Sequence, residues 1–305
     1  MDLTKTKGNC TIGQAPTGCR NDSCLHPPFP LQGMPLIPRF DRLSILISLI
    51  LFGLIVSHIV ELPTQTISFV ALGVPTTIYL SGRWLVGALL VIMTGAGVDS
   101  IVRSHPAASR TGWAYTLSFW GLPCALVLLS LVVLPISPDI VFWLGSLALT
   151  GLLLALIVAA QYYAIDQQGR HLALTRWGLD LAVYAGVFVF CALTYGARVR
   201  SLLSATAVSI LAVLMAAELL RPRTPETSMR RTWLYSAIVG LVLGEVAWSL
   251  NHLSFSAVAA GIMFLLVFYV LAGLAKQHLA GRLARPVIVE FVLVSILGLG
   301  LLYLM

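Results

Sequence analysis

His58 and Glu61 stand three residues apart, and Glu245, Trp248 and His252 follow one another at spacings of three and four, so each set shares one face of a helix. A carboxylate, imidazoles and an indole gathered in apolar surroundings can grip a polar ligand or exchange protons with it. If the two helices touch, these five side chains form a substrate-binding pocket. The plainer expectation is that Glu245 hydrogen-bonds to a neighbouring helix while His58 and His252 sit in the wet interface. The same two histidines are also the residues that could serve as axial haem ligands.

A second group of ionisable residues carries its partners along the chain. Asp99 precedes Arg103 by four residues and Glu218 precedes Arg221 by three, spacings that predict structural ion pairs at helix ends. Asp180 and Glu290 have less obvious neighbours and would form a proton or ion relay if their helices were adjacent. The chain has no His-Glu-x-x-His, no nucleophile elbow and no Asp-rich diphosphate motif. Gly95 with Gly97, and Gly298 with Gly300, read as helix-packing surfaces because no strand precedes them. No metal centre and no specific cofactor follows from these residues.

The elements that must position these side chains are helices in lipid. The chain is 58% hydrophobic and only 10% charged, with mean hydropathy +0.93, which excludes a water-soluble domain. Crossing about 30 Å of hydrocarbon at about 1.5 Å per residue takes about 20 residues. Nine runs meet this: Leu43 to Val60, Trp84 to Val102, Gly112 to Leu134, Ile140 to Tyr162, Trp177 to Ala197, Ser201 to Leu220, Thr232 to Leu250, Phe255 to Ala275 and Val287 to Leu304. A tenth, Ile67 to Leu80, is short and interrupted by Gly73 and Pro75, so it reads as a re-entrant or interfacial segment or a broken span. The expected fold is therefore all-α, a polytopic transmembrane bundle of nine to ten spans over residues 41–305.

Arginine and lysine orient the bundle, because cytoplasmic loops accumulate them. Arg103, Arg110, Arg170, Arg176, Arg221, Arg223, Arg230, Arg231, Lys276, Arg282 and Arg285 fall on one set of alternating loops, against Arg198 and Arg200 on the other. The first set is expected in the cytoplasm. A net charge of +7, spread in ones and twos beside apolar runs, is the signature of this rule and not of nucleic-acid binding.

Residues 1–40 form a Pro- and Cys-containing tail, with no signal peptide, expected to be poorly ordered. Its Cys10, Cys19, Cys24 and His26 are chemically adequate for zinc, but gaps of eight and four residues between the cysteines do not match a zinc module. A disulfide would pair two of the three thiols if the tail lay outside the cell.

The segment from Gly97 to Pro106, which reads Gly-Val-Asp-Ser-Ile-Val-Arg-Ser-His-Pro, resembles a family of bacterial multi-pass membrane proteins with no assigned function. So do Ala217-Glu218-Leu219-Leu220-Arg221 and the run from Gly244 to Asn251. The likeness spans residues from about 40 onward. It implies a bacterial cytoplasmic membrane and brings no catalytic residues with it.

Three functions compete. Polar residues in two layers, with an interrupted segment beside them, suggest transport or handling of a small molecule or lipid. A scaffold or assembly subunit that packs against membrane-protein partners would need the acids only for structure. An enzyme acting on a lipid-linked substrate would use Glu245 with a histidine, with Arg198 and Arg200 holding a phosphate.

Overall fold

A computed structural model describes residues 40–60, 65–71, 74–80, 82–105, 112–136, 139–165, 172–197, 201–221, 229–253, 255–281 and 285–304, all within one unit running from Pro38 to Met305. The cysteines of the tail, His26, Glu61, Arg198 and Arg200 lie outside the described residues.

The helices are α1 (Phe40–Ile59), α2 (Gly82–Arg103), α3 (Trp113–Leu117), α4 (Gly121–Val133), α5 (Ile140–Tyr163), α6 (Leu172–Gly196), α7 (Ser201–Leu219), α8 (Met229–Leu250), α9 (Ala257–Leu279) and α10 (Arg285–Leu304). With α3 and α4 taken as one broken rod, eight are long and apolar enough to cross a membrane. α10 corresponds to the ninth apolar run, although its described apolar stretch, Val289–Gly298, is shorter. Large apolar side chains such as Phe52, Leu89, Leu149, Leu152, Leu181 and Ile296 are exposed along these helices. Such a surface would aggregate in water and is at rest in hydrocarbon. The chain is a multi-pass membrane protein embedded in a lipid bilayer.

Residues 67–80, expected as a re-entrant or interfacial segment or a broken span, form strands and not a broken helix. They belong to an antiparallel hairpin of β1 (Gln65–Ala71) and β2 (Val74–Leu80), in register from Gln65 opposite Leu80 to Ala71 opposite Val74. β-branched and aromatic residues dominate both strands, and Pro75 and Gly73 disfavour a helix there. The pairing of Gln65 with Leu80 returns the chain to its point of departure. The end of α1 and the start of α2 are therefore brought close together.

Two apolar clusters hold the bundle. One is built by α1, α2, α4 and α5 around Ile50, Leu54, Val98, Phe119 and Leu154. The other joins α6, α7, α8 and α9 to parts of α4 and α5 around Val187, Met215, Leu243, Phe264 and Phe268. Leu126 of α4 packs against both, which makes α4 the hinge of the two cores. The tightest approach is α7 to α8: a Cβ at Gly240 would lie 2.7 Å from the Ser209 carbonyl oxygen. Only a glycine lets the backbones meet this closely, and the Ser209 hydroxyl uses the opening to donate to the Gly240 carbonyl at 2.8 Å.

Candidate functional site

The site begins with a helix that cannot continue. Ser118, Phe119 and Trp120 bond back three residues, to Tyr115, Thr116 and Leu117, closing α3 with a tight turn before α4 starts at Gly121. Pro123 sits in the first turn of α4, where a missing N–H costs least. In a continuous helix that N–H would bond the Phe119 carbonyl. Here the amide of Gln161 on α5 donates to that oxygen instead, at 3.1 Å. Gln161 is fully buried, in the last turn of α5.

Around this turn the basic end of the bundle closes. The Arg221 guanidinium lies over the Phe119 ring at 3.9 Å, a cation–π contact, and donates to Glu218 Oε1 at 3.1 Å. The Glu218 side chain is 2% exposed and that of Arg221 14%. Gln161 is a further polar neighbour of the Glu218 carboxylate, and Asp180 acts on it through space. Asp180 accepts from Lys276 on α9 at 2.7 Å, with 35% and 31% of the two side chains exposed, so this wall meets the surface.

Between these groups is a cavity of ≈ 50 Å³, lined by Tyr115, Arg176, Asp180, Glu218 and Arg221 and by apolar residues of α5, α6 and α7. It has room for a few waters or one small polar group. Glu218 Oε2 and Arg221 Nη1 are buried there without a hydrogen-bond partner in the contact geometry of the described residues, and Gln161, which lies against the Glu218 carboxylate, does not itself line the cavity. Groups of this kind are satisfied in folded proteins, by water or by a ligand. One is an acceptor and the other a donor, so an occupant can both give and receive hydrogen bonds.

The other expected sites fall as follows. Arg103 Nε donates to Asp99 at 2.7 Å, and Arg103 also reaches Thr116 at 3.3 Å, tying α2 to α3. Trp233 of α8 donates to the Ala114 carbonyl at the same end. Asp180 has found Lys276, while Glu290 is exposed on α10, which packs on α9. At the opposite end His58 stacks on Trp143 of α5 with centroids 5.2 Å apart. Asn251 donates to Ser204 at 2.8 Å. Glu245, Trp248 and His252 are exposed. α1 packs on α2, α4 and α5, whereas α8 packs on α7 and α9, so His58 and Glu245 stand on helices with different neighbours.

Gln161, Tyr115 and Lys276 did not emerge from the sequence as site residues. Gln161 had a signal, a lone amide in an apolar run with a proline four residues after Phe119. Lys276 had none, because its partner is 96 residues away.

The chain belongs to a family described as protein of unknown function (DUF5656), whose model matches residues 62–305. No curated protein and no solved structure matches it.

Proposed function

We propose that this protein binds a small polar ligand at the cytoplasmic end of its bundle, as part of transporting or handling a small molecule or lipid in a bacterial cytoplasmic membrane. The observation that carries this reading is a pair of buried polar atoms, Glu218 Oε2 and Arg221 Nη1, on residues that line the cavity between α3, α5, α6 and α7, with Gln161 against the Glu218 carboxylate. The cavity adjoins the contact between the two apolar cores, where a ligand can bias their packing. With Arg176, Arg221 and Lys276 against Asp180 and Glu218, its surroundings carry both signs of charge. A group bearing an ammonium and an anion satisfies them better than a plain anion.

The test is thermal unfolding of the purified protein in nanodiscs with inorganic phosphate, glycine or phosphoethanolamine added. The zwitterions should raise the midpoint, and Glu218→Gln should remove the rise. If none of the three shifts the wild-type midpoint, or the shift survives both Glu218→Gln and Arg221→Met, the reading is wrong. Uptake of the stabilising compound into proteoliposomes then separates transport from binding.

A further inference from the structure

α3 is the wall of the cavity that the apolar cores hold least. α5, α6 and α7 each place residues in the buried clusters, whereas α3, among the described residues, contributes no buried member to either and touches one only through the partly buried Tyr115. Its five residues, Trp113–Leu117, are also too few for a helix to sustain itself. On its far side α3 is strapped by single hydrogen bonds from distant helices. Trp233 Nε1 of α8 donates to the Ala114 carbonyl at 3.0 Å, and Arg103 Nη2 of α2 donates to Thr116 Oγ1 at 3.3 Å.

The junction with α4, by contrast, is anchored. Gly121 brings the start of α4 against α7, where an added Cβ would lie 2.8 Å from the Leu214 carbonyl oxygen. Gln161 holds the Phe119 carbonyl, and the Arg221 guanidinium covers the Phe119 ring. Between this base and α3 the backbone bonds of Ser118, Phe119 and Trp120 reach back only three residues. A short stretch of that tighter, weaker turn inside a longer rod is where the rod bends.

We infer that α3 is a lid on the cavity and that Trp233 is its latch. Swinging about residues 118–120, the lid withdraws Tyr115 from the wall it shares with Glu218 and Arg221, while α5, α6 and α7 stay packed. The closed cavity of ≈ 50 Å³ takes one small polar group, so a larger zwitterion enters only when a wall moves. α3 is the wall whose movement disrupts least: two straps part and neither core opens. The purpose of the lid rests on the ligand reading above; its mechanics do not.

The experiment is thiol modification in membranes, with no ligand added, in a chain whose Cys10, Cys19 and Cys24 are replaced by Ser and which carries Ala164→Cys. Ala164 lines the cavity and is 8% exposed, so a small methanethiosulfonate reagent reaches a thiol there only when a wall opens. Trp233→Phe, which keeps a ring but loses the N–H, should speed that reaction about two- to tenfold, the equilibrium factor of one hydrogen bond. Thr116→Val, which removes the acceptor of the other strap, should act in the same direction and serves if Trp233→Phe fails to accumulate. Native Cys191, buried in α6 and not among the residues lining the cavity, reports general loosening; its modification, read by peptide mass, should not change. The inference fails if neither variant speeds the reaction at Ala164→Cys, or if Cys191 accelerates with it. Phosphoethanolamine should slow the reaction at Ala164→Cys. Acceleration by the variants without this protection supports the lid and counts against the ligand reading.

Discussion

The Gln161 side-chain amide donates to the Phe119 carbonyl at 3.1 Å, across 42 residues of sequence, in the place that the missing N–H of Pro123 leaves open. A defect in one helix has become a fixed contact between α4 and α5. It also holds Gln161 beside the Glu218 carboxylate.

Replacing Gln161 by Leu should leave the Phe119 oxygen buried and unsatisfied, at a cost of about 1–3 kcal/mol. Pro123→Ala restores the N–H four residues on and should recover part of that loss in the double variant. Denaturant unfolding in detergent of the two single variants and the double one checks this. A double variant that loses the sum of both single losses would mean that the two residues do not share the carbonyl.

Glu218 and Arg221 should behave as a buried pair. Glu218→Ala strands a guanidinium that is largely shielded from water and should cost about 3–5 kcal/mol, whereas replacing both residues, as Glu218→Leu with Arg221→Met, should cost less than the single change. The same unfolding measurement applies. With Arg221→Met measured alone as well, a double-variant loss equal to the sum of the two single losses would show that the charges are not coupled.

The close approach of α7 and α8 makes Gly240 intolerant. Gly240→Val would press against the Ser209 carbonyl and should destabilise by about 1–3 kcal/mol or prevent accumulation. Gly145, whose added Cβ meets nothing within 4 Å, should accept Ala with a gain of up to about 1 kcal/mol from helix propensity. Fluorescence-detected size exclusion of the two variants tells them apart.

Orientation is checked by impermeant maleimide on intact cells, in the chain lacking its three tail cysteines. Leu253→Cys, exposed after α8, should label from outside, and Ala280→Cys, exposed after α9, only after the membrane is opened. The reverse pattern would invert the bundle and put the Glu218 cavity on the outer side.

Hydropathy is a local quantity, and it sufficed for the class of protein and for its helices. The nine apolar runs read from the chain correspond to α1 through α10 with α3 and α4 joined, because a segment's preference for hydrocarbon needs no knowledge of its neighbours. Asp99 with Arg103 and Glu218 with Arg221 were equally accessible, since three or four residues along a helix are already adjacent in space.

Rotation and neighbourhood are another matter. A helix that is apolar nearly all round, such as α7, does not announce which face meets protein and which meets lipid. Only packing could therefore bring Lys276 to Asp180, pair Gln161 with Phe119, and turn Glu245 outward on a helix whose glycine face was claimed by α7. The hairpin at residues 65–80 belongs with them: its strands exist because each supplies the other's backbone partners, a condition that neither segment can meet alone.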